Sequence, residues 1–289
     1  MIETEYYWIL DNKFIFKPEF NSSIEVYSDL ISEYNELIFS NYSDVNICIK
    51  TNNDYNKNYK KSKFNKEVEL PENLILITFG FNFNQKVELP KNLTYLTFGF
   101  NFNQEVELPE NLIHLTFGSH FNQEVNLPKN LTHLTFGNCF NKKVELPKNL
   151  THLTFGSHFN QKVDLPFNLT HLTFGENFNQ EVDLPLDIKY LCLDCNNKII
   201  DYLPHGIEEL VLDDNFYLEL NNLPNSIKKI VLINDNYNYK LNSLPNSVEL
   251  IELPQNYELK IDKIPKNLKK IKCSKDYKFL YDLVEIEYY

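Results

Sequence analysis

Four histidines stand 19 residues apart: His114, His133, His152 and His171. Tyr95 holds the same phase one step earlier. Two residues after each of these five comes a threonine: Thr97, Thr116, Thr135, Thr154 and Thr173. Imidazoles brought together by such a repeat could hold a metal, sense pH or present a polar row to a partner. No Asp or Glu joins them, which argues against a metal centre. Charging neighbouring imidazoles costs about 1 kcal/mol per pair even in water, so acid is expected to loosen any structure that stacks them. An ice-ordering threonine array does not fit, because the second column is not threonine. Two readings stand. The ten residues Tyr95 to Thr173 form a protein-docking row, or they are copies preserved by duplication of the repeat.

Other candidates have structural explanations. His120, Cys139 and His158 share a column with Asn82, Asn101 and Asn177, where a short polar side chain satisfies turn backbone. Cys192-x-x-Cys195 lacks the second pair of a zinc site and the βαβ setting of a redox motif. Asn92, Asn130, Asn149 and Asn168 each begin Asn-Leu-Thr, a glycosylation sequon that turn chemistry explains better without a secretory signal. No nucleophile has a matched base, and the glycines are isolated rather than clustered as a phosphate loop would require. The expectation is a non-enzyme with no metal and no cofactor.

The composition narrows the class of partner. The chain has 289 residues, 43% of them apolar, enough for a substantial core. All 28 basic residues are Lys, and the net charge is -12. Nucleic acid and anionic membranes both call for a clustered positive field, which this composition does not favour. No apolar run reaches the length of a membrane-spanning helix. Met1-Ile2-Glu3-Thr4-Glu5 is unlike a secretory leader, and the five scattered cysteines fit a reduced, cytoplasmic protein.

The elements that would position these residues follow from the repeat. Pro71, Pro90, Pro109, Pro128, Pro147, Pro166, Pro185 and Pro204 are 19 residues apart. Gly80 to Gly175 and the Phe-Asn pairs from Phe64 to Phe178 keep the same step. One unit reads L-P-K-N-L-T-H-L-T-F-G-N-C-F-N-K-K-V-E, Leu127 to Glu145. Counting Leu131 as position 1, Leu134 and Phe136 at positions 4 and 6 alternate with Thr135. This is the period of a short strand with one buried face. Positions 3 and 5, the His and Thr columns, then face outward. Pro128 and Asn130 belong to the preceding turn, and Gly137 to a bend or a close backbone approach. Val144 and Leu146 lead the chain back to the core.

The pattern continues less regularly to Cys273, with prolines at 204, 224, 245 and 265, giving about eleven rungs from Pro71. A degenerate rung is read at Val45-Ile47-Ile49. One rung cannot offset the entropy of ordering its own backbone, so rungs must stack. Stacking puts Phe79 to Phe174 in one aromatic column and Phe83 to Phe178 in a second. It places Asn84 to Asn179 in a hydrogen-bonding ladder. Glu72, Lys91, Glu110 and Lys129 alternate in sign and would pair between rungs.

Phe83-Asn84-Gln85, Phe102-Asn103-Gln104 and Phe121-Asn122-Gln123, with L-P-x-N-L-T-x-L-T-F-G, resemble the FNIP repeat family, an offshoot of the leucine-rich repeats. The resemblance is strong over 64–190. Residues 191–273 look more like short leucine-rich repeats. It implies an amoebal or giant-virus protein, which in the viral case would work in the host cytoplasm. The 19-residue step is shorter than that of leucine-rich repeats and leaves no room for helices opposite the strands. Family members often carry an N-terminal F-box that recruits a ubiquitin ligase; no convincing F-box is present here.

Residues 1–63 do not repeat. Tyr6 to Phe16 predicts a hairpin around Asp11-Asn12. Ser22 to Glu25 offers a capping box, and apolar spacing then predicts an amphipathic helix near 23–39. Residues 51–63 read as a loop. The expected organisation is a small α/β cap over 1–63, FNIP repeats over 64–190, divergent repeats over 191–273 and a C-terminal cap over 274–289. The fold expected is mainly β, a parallel β-solenoid of leucine-rich-repeat type with 19–21-residue rungs. The function expected is a monomeric protein-interaction scaffold. The alternative is a substrate-recognition adaptor of a ubiquitin ligase, with 1–63 as the recruiting module.

Overall fold

The computed structural model describes residues 1–43 and 59–289, so the rung read at Val45-Ile47-Ile49 and residues 51–58 of the loop lie outside it. The chain divides into two compact units, Met1–Asn149 and Leu150–Tyr289. Each is a β-solenoid with one short strand per rung, parallel throughout except for the first three strands of the first unit.

The first unit begins with β1 (Ile2–Glu3), β2 (Tyr7–Leu10) and β3 (Lys13–Phe16), paired antiparallel in sequence. The predicted hairpin forms, with Leu10 opposite Lys13 and Asp11 at a φ of 52° in the turn. The predicted helix over 23–39 does not. Helical structure is confined to a 3-10 turn, Glu25–Tyr27, and one turn of α-helix, α1 (Ser28–Ile31). Ser23 accepts the Glu25 N–H, but no reciprocal capping box closes. Residues Glu36–Phe39 are instead strand β4, parallel to β3, with Phe14 opposite Leu37 and Phe16 opposite Phe39. Leu37 and Ile38 continue the helical spacing, whereas Leu37 and Phe39 alternate as a strand does; the sheet prevails because pairing buries Leu37 and Phe39 together with the backbone between them.

Strands β5 (Leu76–Thr78), β6 (Tyr95–Thr97), β7 (His114–Thr116) and β8 (His133–Thr135) follow in parallel, one per rung. Ile77, Leu96, Leu115 and Leu134 are register partners in sequence, so residues 19 apart are spatial neighbours. Phe98 and Phe102 stack within one rung at 3.7 Å. Phe98 and Phe117 stack between rungs at 5.7 Å. The outer column holds 6.1 Å, as between Phe102 and Phe121. Val125 and Leu127, on the return side, are only half-buried, and that side forms no named strand. Val144 and Leu146 therefore approach the core without entering it.

The second unit holds β9 (His152–Thr154), β10 (His171–Phe174), β11 (Tyr190–Leu193), β12 (Glu209–Leu212), β13 (Lys229–Leu232), β14 (Leu250–Glu252), β15 (Lys270–Cys273) and β16 (Glu285–Tyr288). All pair in parallel and in sequence. The last strand therefore adds a rung. One helical segment stands opposite the strands, a 3-10 helix at Lys198–Tyr202. Asn197 caps it by accepting the Ile199 N–H at 3.0 Å, and Ile199 and Ile200 bury beneath it.

Candidate functional site

The strands hold the predicted His and Thr columns on the outward face, because Leu at position 4 and Phe at position 6 are drawn inward. In the first unit Tyr95 stacks on His114 at 4.4 Å and His114 on His133 at 4.0 Å. In the second, His152 stacks on His171 at 4.1 Å, and His171 meets Tyr190 at 5.7 Å. The histidines are half-buried and Tyr95 is 43% exposed. Thr97, Thr116 and Thr135 are register partners in the first unit, Thr154 and Thr173 in the second. All ten predicted residues thus occupy two aligned columns within their units.

Further residues orient these columns. Thr132, Thr151 and Thr170, at position 2, bring Oγ1 to within 2.8 to 2.9 Å of Nδ1 of His133, His152 and His171. These threonines belong to the Asn-Leu-Thr triplets. The signal available in the sequence was Thr directly before His in three rungs, where Ile113 precedes His114. At the opposite end of the first unit's face, Trp8, Ile15 and Ile38 form a buried cluster with Leu10 and Leu76 against it. The face therefore opens only beyond β5.

Burial lowers the His114 pKa below the ordinary 6.5, and the neighbouring His133 lowers it further. A depressed folded pKa means that the unfolded chain takes up the proton first. The resulting stability is present above the unfolded value and is lost as pH falls from 6.5 toward the folded one. The urea midpoint is expected to drop between pH 7.5 and pH 5.5, and His114→Gln to reduce that drop.

The Phe-Asn-Gln step is a backbone clamp. Asn84 Oδ1 accepts the Asn103 N–H, Asn103 Oδ1 the Asn122 N–H and Asn122 Oδ1 the Asn141 N–H, at 2.9 to 3.0 Å. Gln104 and Gln123 donate from Nε2 to the same asparagines. In the second unit Asn179 N–H donates to Asn160 in the same way. Asn103→Ala would strip the acceptor from Asn122, and an orphaned, partly buried amide costs about 1–3 kcal/mol. Asn103→Asp keeps the acceptor and should lose less, as urea denaturation would read. In the neighbouring column Asn101 Nδ2 donates to Asn82 Oδ1 and Asn82 Nδ2 to the Ser62 carbonyl.

The charge alternation lies elsewhere than expected. Among the described residues no ion pair joins Glu72, Lys91, Glu110 and Lys129. Their carbonyls instead accept from Asn92, Asn111, Asn130 and Asn149. The alternating ladder runs on the sheet face of the second unit. Glu208 pairs with Lys189 and Lys228, Lys229 with Glu209 and Glu252, Lys269 with Glu249, and Lys270 with Glu285 and Glu287. The doublets Glu208-Glu209, Lys228-Lys229 and Lys269-Lys270 had carried that signal. Ser226 and Ser247 replace the turn asparagine here, and their buried hydroxyls, too short to span to the next rung, make no hydrogen bond.

Burial pushes the Cys192 and Cys195 thiols each up to about 12, so both are protonated at neutral pH and poor nucleophiles or ligands. Among the described residues no group of three or more His, Cys, Asp or Glu is placed to hold a metal ion. No helix among them is long and apolar enough to cross a membrane.

A family model described as FNIP Repeat matches residues 64–101, 83–107, 102–139, 140–176, 159–195 and 215–256. No curated protein sequence matches the chain. Among solved structures, the giant-virus protein CroV588, described as a novel circular LRR protein structure, is 31% identical with a TM-score of 0.69. The match covers 98% of this chain and 51% of that one, so this chain spans about half the length of CroV588. YopM from Yersinia enterocolitica WA-314 is 15% identical over 89% of this chain and 73% of its own, with a TM-score of 0.44.

Proposed function

Since the chain belongs to the FNIP repeat family, whose stacked rungs are typical of interaction scaffolds, we propose that it is a non-enzymatic scaffold whose His/Thr face docks a protein partner. The observation that carries the reading is the order of that face. Its imidazoles are stacked ring on ring, and three of the four are tethered at Nδ1 by threonine, so little side-chain entropy is left to lose on binding. Rigid solenoid faces of this kind suit flat, extended contacts.

Residues 1–43 supply strands β1 to β4 and the Trp8 cluster, which supports a capping role for this segment. No observation favours the ubiquitin-ligase adaptor. Among the described residues Cys139, Cys192, Cys195 and Cys273 are free, which suits a reducing cytoplasm.

A photo-crosslinking residue at Thr116 or Thr173 is expected to trap a partner in the native cell, and one at Glu107 on the return side is not. Equal trapping from both positions, or replacement of His133 and His152 by Ser with no change in recovery, would count against this face.

A further inference from the structure

The hydrogen bonds of the His/Thr face point to the chemistry of its partner, an inference that rests on the docking role proposed for that face. Thr170 Oγ1 lies 2.9 Å from His171 Nδ1 and 3.1 Å from the carbonyl oxygen of Thr151. That carbonyl already accepts the backbone N–H groups of Thr170 and His171, both at 2.9 Å, and so uses its two lone pairs. The hydroxyl proton is then better placed on the imidazole, where the contact is shorter. Thr132 repeats the arrangement: its hydroxyl is 2.8 Å from His133 Nδ1 and 3.3 Å from a carbonyl, that of Ile113, which already accepts two N–H groups. A neutral imidazole that accepts at Nδ1 carries its proton on Nε2.

Charge gives the second observation. Strands β6 to β8 of the first unit, and β9 and β10 of the second, contain no Asp, Glu or Lys, although 24% of the chain is charged. Within each unit, histidine alone sets the charge of these strands. The groups facing His171 from the packed strands are the imidazole of His152 on β9, and the phenol of Tyr190 and buried thiol of Cys192 on β11. Those facing His114 are the phenol of Tyr95 and the imidazole of His133. None of these is anionic at neutral pH, so a protonated imidazole finds no counter-charge among them.

We propose that the His/Thr face is a hydrogen-bond-donor surface for an acidic protein segment, with Nε2–H of His171 directed to a carboxylate. Thr132 and Thr170 act as positioning residues that set the tautomer. A bound carboxylate stabilises the imidazolium, so binding tightens as the histidines take up protons. The repulsion expected from the acidic chain as a whole is screened beyond about 8 Å at physiological salt, so contact chemistry decides.

Two measurements on the full chain test this. Nitrogen-15 NMR at pH 7.5 is expected to show His171 protonated on Nε2, and Thr170→Val to mix the tautomers; an Nδ1-protonated wild type would overturn the proposal. A synthetic peptide alternating Glu and Thr is expected to bind at least tenfold tighter at pH 5.5 than at pH 7.5, and a Gln/Thr peptide to show no such gain. Replacing His114, His133, His152 and His171 together by Gln should abolish the gain. If that variant unfolds, the double variant Thr132→Val with Thr170→Val should weaken binding of the Glu/Thr peptide instead. Equal binding of both peptides, or unchanged behaviour in a folded variant, would overturn it. A partner that crosslinks to this face through a basic segment would refute the acidic chemistry while leaving the docking surface intact.

Discussion

Phe117→Ala is expected to lower the stability of the first unit by about 3–5 kcal/mol, the range for removing a buried aromatic ring. Phe117 is 1% exposed. Its ring lies 3.8 Å from Phe121 in its own rung and 5.7 Å from both Phe98 and Phe136 in the rungs on either side. The cavity would sit at the junction of three rungs whose neighbours are themselves held by strand pairing and cannot collapse into it. Because each rung touches only the adjacent ones, hydrogen-exchange protection should fall first around residues 98–136. Urea denaturation would give the loss. A loss below about 1 kcal/mol would mean that the column does not carry the rung-to-rung packing.

Gly118→Ala is expected to be comparably damaging, at about 3–4 kcal/mol, for a different reason. None of the glycines has a positive φ, so conformational freedom is not what selects them. Space is. A Cβ at Gly118 would lie 1.9 Å from the carbonyl oxygen of Gly99 and 2.5 Å from its carbonyl carbon. The obstructing atoms are backbone held by the parallel pairing of β6 with β7, so relief requires prying two rungs apart. At Gly175 the nearest atoms are 2.5 Å away, and Gly175→Ala should therefore cost less. Thermal unfolding of the two variants would test both the size and the order.

Much of this could be read from the sequence because the protein repeats. In a stack, chain separation of one period is spatial adjacency, so the columns of Phe79, Phe83 and Asn84, and the outward His and Thr, followed from spacing alone. The same periodicity marked Gly137 as a bend or a close approach of backbones, and the structure shows the close approach. It failed where local patterning admits two answers. Leu37 with Ile38 continues a helical spacing and Leu37 with Phe39 alternates as a strand does, and the choice fell to β3 and β5, which lie far away in the chain. It also misplaced the ion pairs, since alternation along a column is necessary for pairing but side-chain direction is what brings charges within reach.

Periodicity thus determined the rung, its register and which side chains face in or out, because hydrophobic burial and strand geometry act alike on every copy. Only the folded arrangement decided what each polar side chain bonds to: Thr170 to His171, Asn103 to the amide of Asn122, Lys228 to Glu208. Hydrogen bonds and ion pairs depend on ångström distances and on direction, and those are set by how neighbouring coils come to rest on one another.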